Sequence, residues 1–128
     1  MANWTEWMNA GAKVKTISFG DATSTADYIG ENSKSGSSGA WTLTNTITTD
    51  DAEIVSMFTS GMDVKCALVS EKCRYGFAAA VGGYYSTRSI ETTESGGVVT
   101  ITLTEHTTFA QTPNYKYLLE LTVLFVAE

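Results

Sequence analysis

His106 is the only histidine in the chain, so a hydrolytic triad with an imidazole base would have to run through it. It closes a stretch carrying Thr100, Thr102 and Thr104, and no Gly-x-Ser-x-Gly turn offers a serine nucleophile beside it. A solvated histidine at a strand end is the expectation. The run Gly30-Glu31-Asn32-Ser33-Lys34-Ser35 shares residue types with a phosphate-cradling loop, but it lacks the glycine before the lysine, and no helical pattern follows. Asp21, Asp27 and Glu31 could offer oxygens to a calcium ion, yet the Asp-x-Asp-x-Asp-Gly spacing is missing and a solvated acidic loop is expected. Among Glu91, Glu94 and Glu105, which could be imagined as a carboxylate pair, Glu94 falls at an expected hairpin tip, away from any pocket.

Cys66 and Cys73 have six residues between them, which is neither a Cys-x-x-Cys redox pair nor half of a four-ligand zinc site. Two half-buried thiols are expected, with a cross-strand disulfide on a tight hairpin as the alternative. Tyr75, Phe77, Tyr84 and Tyr85 offer a sugar-stacking or docking platform, although alternation along a strand would send half of them into a core. No catalytic, cofactor-binding or metal-binding set emerges, and no cofactor is expected.

The elements that must position these residues are mostly strands. Residues 41 to 48 and 100 to 105 alternate threonine with Trp41, Leu43, Ile47 and with Ile101, Leu103, so each stretch has an apolar face and a hydroxyl face. The hydroxyl faces suit a wet sheet surface, and they also suit docking, because burying a hydroxyl costs far less than burying an unpaired ion. An ice-binding Thr-x-Thr array is a third idea, but such arrays need many stacked repeats. Residues 12 to 20 predict a further strand, and residues 20 to 40 a long polar loop rich in Gly, Ser and acids. Asp50 with Glu53 predicts a capping box opening a helix over about 51–60, with the apolar stripe Ile54, Met57, Phe58 and a stop at Gly61.

Five strands are expected after that helix: 64–70, 73–81, 84–93, 98–109 and 114–128. Ser95-Gly96-Gly97 predicts a hairpin turn between the third and fourth of these. The last segment is apolar on both faces from Leu118 to Val126, which predicts a central strand covered by the other sheet on one side and by the helix or a partner on the other. Trp4, Trp7 and Met8 share one side of a short N-terminal helical turn, making residues 1–11 a candidate docking arm.

A chain of 128 residues, with 20 threonines and one proline, predicts one β-rich domain spanning 1–128. The strand and helix order excludes a doubly wound α/β fold and predicts an antiparallel β-sandwich or curled barrel flanked by one short helix. The net charge of −6 gives no basic footprint for gripping nucleic acid. No apolar run is long enough for a membrane span, and the polar start lacks a signal peptide's apolar core, so synthesis in a reducing cytoplasm is expected.

In layout the chain resembles small virion subunits of tailed bacteriophages, particularly tail-tube proteins. The likeness rests on the sandwich, the single helix at Asp50-Asp51-Ala52-Glu53-Ile54 onward, and the hairpin of residues 84 to 106. It implies a non-enzymatic subunit, part of a virion, that forms rings with itself and with other virion subunits. The hairpins would pair into a shared barrel, and at most DNA would pass through an acidic lumen. Trp4, Trp7, Thr100, Thr102 and Thr104 are the expected oligomer interface, with the second row, at 42–48, left solvated. The competing expectation is a monomeric carbohydrate- or ligand-binding β module.

Overall fold

The two threonine-alternating stretches fold as neighbouring strands of one sheet in the computed structural model, which describes residues 13–20, 28–75, 86–109 and 116–128. The elements in chain order are β1 (Lys13–Phe19), β2 (Glu31–Ser37), β3 (Ala40–Thr49), α1 (Ala52–Thr59), β4 (Val64–Tyr75), β5 (Ser86–Ser95), β6 (Val98–Thr107) and β7 (Lys116–Ala127). They form a three-stranded sheet ordered β1-β7-β4 and a four-stranded sheet ordered β2-β3-β6-β5, and all the pairings are antiparallel. The expected antiparallel β-sandwich is therefore the fold. Both sheets keep open edges, so the curled-barrel alternative is not realised.

The apolar phases read from sequence are the inner faces. Leu43 and Ile47 on β3, Val99, Ile101 and Leu103 on β6, and Leu121, Val123 and Phe125 on β7 are all buried. The β5–β6 turn is made by Gly96 and Gly97, both at positive φ (59° and 83°), the conformation that matches a tight hairpin to the strand twist. Glu94 Oε1 accepts a hydrogen bond from the Gly97 N–H at 3.0 Å, so this carboxylate is spent on the hairpin tip.

Several local expectations change. The 20–40 segment is not a loop throughout, because β2 occupies Glu31–Ser37 and pairs with β3 along its whole length. Glu-Asn-Ser-Lys-Ser-Gly-Ser has little strand propensity of its own. Pairing with β3 decides its conformation, and Lys34 and Gly36 suit a sheet edge. The phosphate-loop resemblance ends here, since this run is extended. The break expected near Glu71 is also absent: β4 runs unbroken to Tyr75, with register shifts between Leu68 and Ser70 and between Lys72 and Cys73 absorbing the irregular pattern.

The helix cap lies one residue later than expected. Asp51, rather than Asp50, accepts from the Glu53 and Ile54 N–H groups at 3.1 and 3.2 Å. Ile54 and Met57 are buried, and Phe58 meets Phe125 edge-on at 6.1 Å between ring centroids. Phe125 faces inward, so α1 packs into the sandwich interior instead of covering the outer face of β7. Trp4, Trp7 and the 1–11 arm lie outside the described residues.

Candidate functional site

The outer face of the four-stranded sheet is built almost wholly from hydroxyls. The register sets Thr48 against Thr100, Thr46 against Thr102, Thr44 against Thr104 and Thr42 against His106, and opposed residues share a face. β5 extends the array with Thr87, Ser89 and Thr93, and β2 with Ser33 and Ser35. Glu31 and Glu91 are the acidic members of this face. The row at 42–48, expected to be solvated, and the row at 100–104, expected to be the subunit contact, are adjacent strands of one surface. Replacing Thr44 or Thr102 with lysine is accordingly expected to have the same effect, a stability change of about 0.5 kcal/mol or less. Urea unfolding of both variants checks it, and unequal effects would mean that the two rows meet different surroundings.

At one end of this face the array closes into a cleft of about 350 Å³ lined by Gly39, Ala40, Trp41, Thr42, Thr87, His106, Thr107 and Thr108. Thr42, His106 and Thr87 stand side by side across β3, β6 and β5. His106 is exposed, as expected, and its Nδ1 lies 3.1 Å from Thr42 Oγ1. Trp41 is 9% exposed and packs in a small cluster with Leu43 and Phe109; its Nε1 is buried with no hydrogen-bond partner.

Behind the cleft, the sandwich interior holds charges that sequence reasoning missed. Lys116 Nζ lies 3.0 Å from both Glu71 carboxylate oxygens and 3.9 Å from Glu105 Oε2. Arg88 reaches Glu105 Oε2 through Nε at 2.8 Å and Glu71 Oε1 through an Nη at 2.9 Å. Glu71 and Lys116 belong to one sheet, Arg88 and Glu105 to the other. Each sheet thus contributes one acid and one base, and the tetrad sums to zero formal charge. Its members flank the chain's passages from β4 to β5 and from β6 to β7, so the ion pairs tie the sheets together where the chain crosses between them. Asn45 adds a cross-sheet hydrogen bond, donating from Nδ2 to the Lys116 carbonyl at 2.9 Å.

This polar layer separates the Trp41–Leu43–Phe109 cluster from the main core. With the side chains of Glu71, Glu105 and Lys116 only 5%, 1% and 2% exposed, no substrate atom reaches them, and the arrangement is a clamp. A signal was present in the sequence: Asn45 and Glu105 fall in phase with their apolar neighbours on β3 and β6.

The three glutamates considered as a pair are dispersed. Glu105 points inward, Glu91 stands on the outer face, and Glu94 serves the hairpin. Of the calcium candidates, Glu31 begins β2, while Asp21 and Asp27 lie outside the described residues, as do Phe77, Tyr84 and Tyr85. Among the described residues no group of His, Cys, Asp and Glu could hold a metal ion.

Cys66 and Cys73 are half-buried thiols on the single strand β4, roughly 23 Å apart at about 3.3 Å per residue, which rules out a bond between them. Burial pushes the Cys66 thiol from 9.0 up to about 11. Alkylation of Cys66 is therefore expected to be much slower in the folded than in the unfolded chain at neutral pH. The folded value lies above the unfolded one, so the stability contributed is complete below pH 9.0 and falls away as pH rises toward about 11. Urea midpoints across that window should fall, and Cys66→Ala should flatten the decline.

Scans against protein-family models, curated proteins and solved structures each return no match for this chain.

Proposed function

We propose that the chain is a non-enzymatic structural subunit that assembles with itself into a ring or tube, as a component of a tailed-phage virion. The observation that carries this reading is the outer face of the three-stranded sheet. The register places Val14 and Lys65 beside Val126, and Ala67 beside Leu124, on that face, with Val69 at the β4 irregularity 57% exposed. The helix, which with a partner was one of the two covers expected for β7, packs inside the sandwich, and no other described element lies over this strip. An apolar strip rimmed by Ser18, Thr122, Lys72 and Glu120 has the make-up of a protein contact. A second copy is the occupant we assign, because a homo-oligomer needs no other component to bury the strip.

The virion assignment rests on layout alone, a sandwich with one helix. One implied feature needs revision: the β5–β6 hairpin does not project, since β6 pairs with β3 from Val99 to Thr107. Assembly through a free hairpin would require that pairing to open, so contact through sheet faces is the simpler geometry. Trp4 and Trp7 are proposed as a second contact. Deleting residues 1–9 is expected to leave the sandwich folded by circular dichroism and to weaken association by light scattering. Global unfolding of the truncated chain would instead place those tryptophans in the parent core.

The alternative, a ligand-binding β module, is favoured by one observation, the cleft at the end of the hydroxyl face.

A further inference from the structure

The geometry points to a binding site for one structural water molecule in the buried polar layer, where it accepts a hydrogen bond from the Lys116 ammonium and donates to the Asn45 side-chain carbonyl and to Glu105. This concerns the interior of a single subunit, so it holds or fails independently of the assembly reading.

Two groups in the layer carry hydrogen-bonding capacity that no protein atom takes up. A lysine ammonium has three N–H donors. Two are matched by Glu71 Oε1 and Oε2, each at 3.0 Å, and Glu105 Oε2 at 3.9 Å is too far to take the third. Asn45 Oδ1 is buried and accepts from nothing. Asn45 and Lys116 are 1% and 2% exposed, so bulk solvent does not reach either group. Unpaired polar groups this deep in a fold are costly and rare.

Turning the Asn45 amide over does not solve the problem. Its Nδ2 donates to the Lys116 carbonyl at 2.9 Å, and exchanging the two amide atoms would set two carbonyl oxygens against each other. The unmatched groups also converge. That same hydrogen bond holds the Asn45 amide against Lys116, and Asn45 opposes Leu103 while Leu43 opposes Glu105, which makes Asn45 and Glu105 diagonal neighbours on the inner face, a spacing that long side chains cross. A polar interval of 3.9 Å, like that between Lys116 Nζ and Glu105 Oε2, is where a bridging molecule belongs.

The partners define the occupant. It must accept from an ammonium and donate to an amide oxygen. A sodium ion would suit Asn45 Oδ1 but would meet the Lys116 charge as a like charge, while a chloride ion has no proton to donate and would meet Glu71 and Glu105. Water does both, and three hydrogen bonds are the usual number for a buried water. The tetrad and Asn45 thereby close into one network across the two sheets.

A high-resolution crystal structure of the unmodified chain tests the site. The expected result is a density peak within about 2.7–3.2 Å of both Lys116 Nζ and Asn45 Oδ1. In solution, oxygen-17 relaxation dispersion should count one long-lived water fewer in Asn45→Leu than in the parent chain. No peak between the two atoms, a direct protein donor on Asn45 Oδ1, or a peak whose contacts and anomalous signal identify an ion would each overturn the proposal, as would an unchanged count of long-lived waters in a folded Asn45→Leu. If that variant does not fold, the crystal structure alone decides.

Discussion

Replacing Lys116 with methionine is expected to destabilise the fold by about 3–5 kcal/mol, the usual consequence of removing one partner from a buried ion pair. Glu71 and Glu105 would lose the Lys116 ammonium and keep the Arg88 guanidinium, inside a layer where the side chains of Glu71 and Glu105 are 5% and 1% exposed. Since a domain of this kind has a total stability of about 5–15 kcal/mol, the loss would move the urea midpoint by a large fraction. The double variant Lys116→Met/Glu71→Met removes one acid with one base and leaves the 2.8 Å pair of Arg88 and Glu105 intact. It is expected to recover most of the loss, and the double-mutant cycle measures the coupling directly. Arg88→Met should cost less than Lys116→Met, because the Arg88 side chain is 44% exposed and water can take over part of its role. A single-variant cost below about 1 kcal/mol for Lys116→Met would mean the tetrad is open to water.

Leu124→Lys is expected to abolish self-association while leaving the chain folded. Leu124 faces outward beside Ala67 and Thr16, half-buried within its own subunit, so a lysine there can reach water in the monomer. In an assembly that covers this strip the same ammonium would be buried without a partner, which costs several kcal/mol and weakens association by about a hundredfold or more. Thr102→Lys, on the opposite outer face, is the control and should associate like the parent chain. Light scattering with thermal melts of both variants decides between the faces. Loss of association in Thr102→Lys, with Leu124→Lys unaffected, would move the contact to the hydroxyl face and restore Thr100, Thr102 and Thr104 as the interface.

The fold class was legible because period-two alternation is a strong signal wherever one face is buried and the other wet, as in β3 and β6. The Gly96-Gly97 hairpin, the Ile54–Met57 stripe and the central place of β7 were legible for equally local reasons. β2 was not, since its residues carry no alternating apolar face and become a strand only through pairing with β3. The continuity of β4 was hidden by its two register shifts, which break the alternation that marks a strand.

The site was legible in its parts and not in its assembly. Threonine rows at 42–48 and 100–104 could be read, but nothing local states that β3 and β6 are neighbours, and only that pairing makes one hydroxyl face of two rows. The tetrad is the more demanding case. Glu71, Arg88, Glu105 and Lys116 come from four strands in two sheets, and Lys116 stands 45 residues from Glu71 in sequence. Glu105 and Asn45 did betray themselves by phase, since a polar residue that keeps step with Leu43, Ile47, Ile101 and Leu103 must either break the strand or find a partner inside.

Sedimentation of the unmodified chain over a wide concentration range shows whether it assembles with itself. The 13.8 kDa chain is expected to give way, as concentration rises, to larger species of defined stoichiometry. A single species of monomer mass at every concentration would contradict it.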